Sequence, residues 1–377
     1  MTDRKPVNAA LIGEPRSALN TPALVIERDV LERNIARMDD FARDHGLALR
    51  PHAKTHKSLD IAKLQIGAGA AGICCAKLGE AEALTASGEM VSVLITSPVT
   101  SAPAISRLAA LNKRIDDLRV VVDHPGNAAA LAEAVGDGKP LSVLIDIDPG
   151  IHRTGVTDAE AAVRLAQRIA QQPALTYRGV QFYCGVQQHV EGFEARRTAI
   201  AERTGYLETV IAALADAGHP PAIVSGGGTG THAIDAELGV LTELQPGSYV
   251  FMDRQYDVCE LTGNADNFET SLFVDTRIVS CNTPGMATLD AGFKSLSTDG
   301  DKPVVKGGAA PEDAAFFFMG DEHGALAAAG WQGELGAAVS LQVPHCDPTV
   351  NLYDHYHVVE NGQLAALWPV TARGCNF

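Results

Sequence analysis

LRPHAKTHK, residues 49–57, opens as an apolar strand and closes in titratable groups, and how it is read decides the fold. Side chains alternate across a strand, so Arg50, His52 and Lys54 share one face while Pro51 and Ala53 share the other. Seven further short runs rich in β-branched residues follow: GICCA (72–76), SVLIT (92–96), RVVVD (119–123), SVLIDID (142–148), GVQFYC (179–184), AIVSGG (222–227) and LTELQ (241–245). The stretches between them, such as DAEAAVRLAQRIAQ, are rich in Ala, Leu, Arg and Glu with apolar residues at helical spacing. Eight strand–helix units predict an α/β chain built on a parallel (β/α)8 barrel of the TIM type, spanning residues 20–262.

Outside that span the texture changes. TPALVIERDVLERNIARM reads as a strand and then a helix whose DVLE start suits a capping box. Beyond residue 262, SLFVDTRIVS, MATLDAG, AAVSLQVPH and YHVVENGQLAALWPV alternate with turn residues. They predict an antiparallel β domain over 263–377, with residues 1–28 partly associated with it. ENG at 360–362 is a hairpin signal. The first twenty residues read as a loose surface arm without a signal peptide's apolar core. Seven cysteines form no disulfide framework or CxxC metal pair, which suits a reducing cytoplasm. A net charge of −16 argues against nucleic-acid partners, and no apolar run is long enough to span a membrane.

Polar groups at the carboxyl ends of barrel strands sit where such barrels place their sites. Lys54 is in that position, where desolvation lowers an amine's pKa and favours Schiff-base formation; Lys57 has the opposite parity and falls in the loop. Arg153 follows the fifth strand, Gln181 and Tyr183 share a face of the sixth, and His189 lies in the loop beyond. After the seventh comes SGGGTGTH, where Gly228 and Gly230 offer backbone N–H groups to an anion and Thr229 adds a hydroxyl. A lysine, a tyrosine and a glycine-rich anion loop at neighbouring strand ends point to a phosphorylated carbonyl cofactor.

RPHAKTHK, GICCAKLGEAEAL, DIDPGIHRTGV, VSGGGTG, TELQPGSYVFMD, DEHG and PHCDPTVNLYD together resemble the fold-type III pyridoxal-phosphate enzymes, in the group of D-threonine aldolase and D-serine dehydratase. The resemblance implies pyridoxal 5'-phosphate held covalently by Lys54. Its phosphate would lie on Gly228, Thr229 and Gly230 with Gly247, Ser248 and Tyr249 of the PGSY turn, and its ring against Arg153, Gln181 and Tyr183. His189 would act as a base or orient the substrate hydroxyl. A homodimer is implied as well.

PHCDPTVNLYD also carries a candidate metal pair. If the segment is extended, His345 and Asp347 point together and Cys346 points away. One imidazole and one carboxylate suit Mn²⁺, with Mg²⁺ or Co²⁺ as alternatives. The resemblance places cysteine at the second ligand position of the dehydratases, where this chain has Asp347, so the expected reaction is aldol cleavage. That expectation is a small-molecule D-3-hydroxy amino acid, D-threonine, broken to glycine and an aldehyde. The alternatives are a 3-hydroxyaspartate aldolase, a dehydratase, and a cofactor-binding barrel without catalysis. His355 and His357 read as strand residues rather than ligands.

Overall fold

The computed structural model describes residues 6–262 and 268–377. The expected domain boundary after residue 262 adjoins residues 263–267, which, like residues 1–5, lie outside the described part. Strand β1 (Ala23–Glu27) is followed by helix Arg28–Asp44, which starts one residue before the expected cap. Glu27 occupies the cap position and no side chain caps the helix, so the DVLE capping box does not form.

The eight barrel strands are β2 (Ala48–Leu49), β3 (Ile73–Cys75), β4 (Ser92–Ile95), β5 (Asp117–Val122), β6 (Leu141–Ile147), β7 (Leu175–Phe182), β8 (Ile223–Gly226) and β9 (Glu243–Leu244). All pair in parallel, in the order β2-β9-β8-β7-β6-β5-β4-β3, and a bridge between His52 and Cys74 closes the ring. The first strand is shorter than its sequence suggests, because Pro51 has no N–H to give a regular ladder. The chain stays extended all the same: Arg50 and His52 donate N–H bonds to Leu244 and Pro246 (2.9 Å each), and Ala53 donates to the Cys74 carbonyl (2.8 Å).

One face of each strand packs against the helices, as with Val93, Ile95, Val120, Val122, Val143 and Ile145 in the main core. The other face fills the barrel in layers. A thin apolar layer of Cys74, Leu94, Val121 and Leu144 lies between two polar ones. Towards the amino ends, buried Arg50 pairs with Glu243 (2.9 Å), and Arg119 pairs with Asp117 (2.8 Å). Towards the carboxyl ends, Gln181 bonds Asp146 and Thr96, and Gln245 bonds Ser225 (2.8 Å). Gly179 in β7 has φ +145, and a Cβ there would lie 1.9 Å from the Ile223 carbonyl oxygen, so β7 and β8 approach only because this residue has no side chain.

The second sheet holds β10 (Leu272–Ser280), β11 (Met286–Leu289), β12 (Val304–Gly308), β13 (Ala315–Phe318), β14 (Gly324–Ala327), β15 (Ala338–Gln342), β16 (His355–Glu360) and β17 (Gln363–Pro369). Strand β1 lies within it, antiparallel to β10 and parallel to β16, so the amino-terminal segment belongs to this sheet as expected. The hairpin at Asn361 and Gly362 joins β16 to β17. The described part of the amino-terminal arm is not loose: Arg16 bonds Asp275 (2.6 Å) and pairs with Glu27, and buried Asn8 bonds Asn20 and His357. Among the described residues no helix is long and apolar enough to cross a membrane.

Candidate active site

Past Ala53 the chain turns, with Lys57 N–H bonded to the Ala53 carbonyl (2.7 Å), and projects Lys54 at the carboxyl end of the barrel. Its Nζ contacts Asp347 Oδ2, a residue from the far end of the sequence. Burial disfavours both charges, but each is the other's strongest electrostatic partner, so Asp347 is held down to about 2 and the Lys54 amine is raised. The lowered amine pKa expected from desolvation alone is therefore corrected: a carboxylate the sequence placed 293 residues away outweighs it.

Lys57 does fall in the loop, which runs on to a helix starting at Leu59, but it is not on the surface. It has φ +50 and is buried, its ammonium paired with buried Glu80 (2.8 Å) and bonded to Asn376 Oδ1 (2.7 Å). Of the two lysines, only Lys54 presents an amine to the barrel mouth, with 37 % of its side chain exposed against 6 % for Lys57.

The segment after β15 is not extended. Cys346–Val350 is a short helix with His345 as its N-cap residue, so strand parity does not orient these side chains. His345 and Asp347 still converge: His345 Nε2 lies 4.0 Å from Asp347 Oδ1. His345 Nδ1 is held by Asp299 Oδ2 (2.7 Å), which turns Nε2 inward, an arrangement typical of metal-ligating histidines. Asp347 Oδ1 is buried and has no hydrogen-bond partner. Two ligands about 2.1 Å from one ion lie between roughly 3 and 4.2 Å apart depending on the angle between them, so this pair fits a divalent ion. Among the described residues no group of three or more His, Cys, Asp and Glu side chains forms a metal cluster, so the pair would leave the remaining positions to water or substrate.

Asp253 was not among the expected site residues. It is fully buried, accepts the Cys346 N–H (2.8 Å) and the Tyr256 N–H (3.2 Å), and so fixes the start of the helix that carries Asp347. Its signal was present as the last letter of TELQPGSYVFMD. A buried carboxylate that orients backbone looks the same in sequence as any surface aspartate.

His189 ends a 3-10 turn (Val186–His189) beyond β7, its ring 4.5 Å from that of Tyr256. Desolvation, followed by the charge of His345, lowers its pKa, which leaves a neutral imidazole at pH 7. Tyr183 faces the same mouth, with the Arg153 guanidinium 5.7 Å over its ring. The Arg153 loop is built on Asp148, whose Oδ1 accepts the N–H groups of Gly150, Ile151 and His152 (2.9 to 3.0 Å). Gln181 lies deeper than expected. Its amide donates to Asp146 (2.9 Å) and Thr96 (3.2 Å) and accepts from Gln245 (3.3 Å), so both donors are spent inside the barrel.

The glycine turn also differs from expectation. Gly228 N–H is taken by Thr231 Oγ1 (3.2 Å) and Gly230 N–H by Gln188 Oε1 (3.0 Å), so neither is open to an anion. Thr229 Oγ1 accepts the Tyr249 N–H (3.0 Å), which stitches this turn to the PGSY turn, while the buried Tyr249 hydroxyl accepts from Gln65 (3.1 Å). The N–H groups of Thr229, Gly247 and Ser248 have no acceptor among the described residues, and these three donors fit a phosphate.

The chain matches the family model described as alanine racemase, N-terminal domain over residues 26–255, and the putative serine dehydratase domain over residues 271–359. The chain belongs to the fold-type III pyridoxal-phosphate enzymes. Within this family it is 39 % identical to a 3-hydroxy-D-aspartate aldolase from Paracoccus denitrificans (strain Pd 1222), covering 98 % of this chain and 96 % of the relative. Identity to a D-threonine aldolase from an Arthrobacter species is 36 %, over 96 % and 95 %. The crystal structure of D-threonine aldolase from Filomicrobium marinum superposes with a TM-score of 0.91 at 37 % identity, over 97 % and 98 % of the two chains.

Proposed function

We propose that the protein is an aldehyde-lyase that cleaves D-3-hydroxy amino acids between Cα and Cβ, using pyridoxal phosphate and a divalent ion, with Mn²⁺ the first choice. The observation that carries this reading is the meeting of Lys54 with Asp347, beside His345: one small substrate reaches both the cofactor amine and the metal pair. The aldolase relatives, similar over nearly the whole chain, support the carbon–carbon bond as the one broken.

Lys54 Nζ would hold the cofactor, the N–H groups of Thr229, Gly247 and Ser248 its phosphate, and His345 and Asp347 the ion. When bound, the cofactor supplies an electron sink for the breaking bond, and the ion acidifies the substrate's β-hydroxyl. His189, kept neutral by its surroundings, takes the proton from that hydroxyl oxygen. Asp299 keeps His345 Nε2 aimed at the site, and Asp253 keeps the Asp347 helix in register with the barrel. Tyr183 and Arg153 form the wall between β6 and β7 and confine the substrate.

For the substrate, D-threonine is the first reading. D-3-hydroxyaspartate is the second, favoured by Arg153, an exposed guanidinium that stacks on Tyr183 and has no carboxylate within ion-pair distance among the described residues. Product analysis with both substrates, with and without Mn²⁺, tests the proposal. Glycine plus acetaldehyde or glyoxylate supports it, and ammonia plus a 2-oxo acid refutes it. EDTA should stop turnover while the visible band of the lysine-bound cofactor persists. Turnover that survives complete metal removal would reject the role given to His345 and Asp347.

A further inference from the structure

His189 follows a fully buried glutamine whose amide is spent on the glycine turn after β8. Gln188 Oε1 accepts the Gly230 N–H (3.0 Å), and Gln188 Nε2 donates to Thr231 Oγ1 (3.0 Å). Thr231 Oγ1 also accepts the Gly228 N–H (3.2 Å), so its own proton goes to Asp235 Oδ2 (2.6 Å). That leaves the Gln188 amide one orientation, because a flipped amide would set its donors against the Gly230 N–H. Packing closes the same joint. A Cβ on Gly228 would lie 2.5 Å from Gln188 Oε1, and one on Gly230 would lie 2.0 Å from the Gln188 carbonyl oxygen. The peptide that joins Gln188 to His189 therefore rests directly on Gly230.

The turn so held presents the Thr229 N–H, which has no acceptor among the described residues, and its Thr229 hydroxyl ties it to the Tyr249 N–H (3.0 Å). The remaining Gln188 donor reaches the Cys184 carbonyl (3.4 Å), so the amide is satisfied within the protein and has no group left for substrate or cofactor. Two parts of the proposed chemistry hang on this one side chain: the phosphate donors on one side and the His189 imidazole on the other. We infer that Gln188 is a positioning residue for both: its amide fixes the shape of the Gly228–Thr231 turn, and the backbone it anchors there fixes the place of His189. Filling the phosphate turn and placing the base are thereby coupled. This rests on the phosphate site proposed above.

The test titrates the full chain, stripped of cofactor, with pyridoxal 5'-phosphate and with pyridoxal, following the visible band; kcat on the preferred of the two substrates is then measured at saturating pyridoxal phosphate. Gln188→Met keeps the side chain's length and removes its amide, Thr231→Val breaks the same link from the other side, and Thr231→Ser keeps it. In Gln188→Met and Thr231→Val the affinity for pyridoxal phosphate should fall about 10- to 100-fold, as two lost hydrogen bonds imply, while that for pyridoxal, which has no phosphate to place, stays within about twofold. At saturating cofactor kcat should still be down about tenfold, because the base is displaced. Thr231→Ser should restore both, and the Gln188→Met, Thr231→Val double variant should be about as weak as either single one, since both break one link. Thr231→Val and Thr231→Ser decide alone should Gln188→Met fail to fold. Equal losses for the two forms of the cofactor, or a lowered melting temperature with unchanged affinities, would make Gln188 a packing residue and overturn the inference. So would an undiminished kcat once cofactor saturates, or a Thr231→Ser variant as weak as Thr231→Val. If wild type and variants prefer pyridoxal phosphate to pyridoxal by the same factor, the inference fails and the phosphate site stands; a wild type that holds the two equally tightly sinks both.

Discussion

Replacing Lys57 with methionine keeps the aliphatic stem and removes the ammonium from a pair in which both side chains are buried. Breaking such a pair from one side costs about 3–5 kcal/mol, because the remaining charge is stranded. Glu80 would keep two donors, the N–H groups of Ala76 (2.7 Å) and Lys77 (3.3 Å), which places the expected loss at the lower end of the range. A loss of about 3 kcal/mol corresponds to a melting-temperature drop of roughly 4 °C for a chain of 377 residues. Thermal and urea unfolding of Lys57→Met, Glu80→Gln and the double variant measure it, and the double variant should recover most of the loss because its remaining side chain is neutral. Lys57→Met should retain the visible band of lysine-bound cofactor, and Lys54→Ala should lose it. A cost below about 0.5 kcal/mol, or a double variant no better than the single, would refute the account of the pair. A folded Lys57→Met without the visible band would move the cofactor to the wrong lysine.

Acid should weaken the fold through histidines that burial keeps neutral: His52 at about 3, His56 at about 4 and His232 at about 4. Unfolded, all three take protons near pH 6.5, so their contribution is whole above that value and is lost as pH falls toward 4. Buried Asp146 (about 6) and Asp235 (about 7) act oppositely, holding protons in the folded state that the unfolded chain has released. Three against two leaves about one extra proton on the unfolded chain near pH 5, a stability loss of about 1.4 kcal/mol per unit of acidification. Urea midpoints against pH measure the slope, His232→Asn should flatten it, and stability that rose on acidification near pH 5 would contradict the assignment. The acid limb of kcat/KM should lie below pH 6.5 through His189 and vanish with activity in His189→Leu; an unchanged profile in that variant would remove His189 as the base. Asp148→Ala strands three N–H groups of the Arg153 loop, so KM should rise several-fold with little change in melting temperature; an unchanged KM would show that the loop holds its shape unaided. Gly179→Ala should yield insoluble protein, since the new methyl falls on the β8 backbone, and a wild-type melting temperature would show that β7 and β8 can separate at little cost.

The eight strands were legible because β-branched runs alternating with helical stretches have few other solutions, and Arg50 and His52 both turn into the barrel although the regular ladder stops at Leu49, whereas Lys54 lies in the turn that follows and is not placed by strand parity. Parity failed at His345–Asp347, where a one-turn helix follows the strand; helix and strand spacing cannot be told apart over three residues. The glycine turn showed the limit of composition. A Cβ on Gly230 would lie 2.0 Å from the Gln188 carbonyl oxygen, so at least one of these glycines is required by packing rather than by an anion. Neither Asp253 nor the burial of Lys57 could be read from sequence, because both depend on partners 93 and 23 positions away.

Lys54 belongs to the barrel and Asp347 to the second sheet, so the proposed chemistry depends on how firmly these two parts are joined. Directly after Lys54 the chain is tied to the carboxyl-terminal segment at successive points. Tyr356 Oη donates to the His56 carbonyl (2.6 Å), Ala372 N–H donates to the Lys57 carbonyl (2.9 Å), Lys57 Nζ donates to Asn376 (2.7 Å), and Leu59 N–H donates to Thr371 (3.1 Å). On the other side Asp253 binds the start of the Asp347 helix (2.8 Å). These are mostly buried bonds to backbone, which leave little freedom for sliding, so the distance between amine and carboxylate is set by the seam rather than by either part alone. Catalysis that needs one substrate to reach both groups gains from such fixed placement, because a displacement of about 1 Å can cost about a hundredfold in rate. The same bonds make the carboxyl-terminal residues, remote in sequence from Lys54, part of what holds it in place.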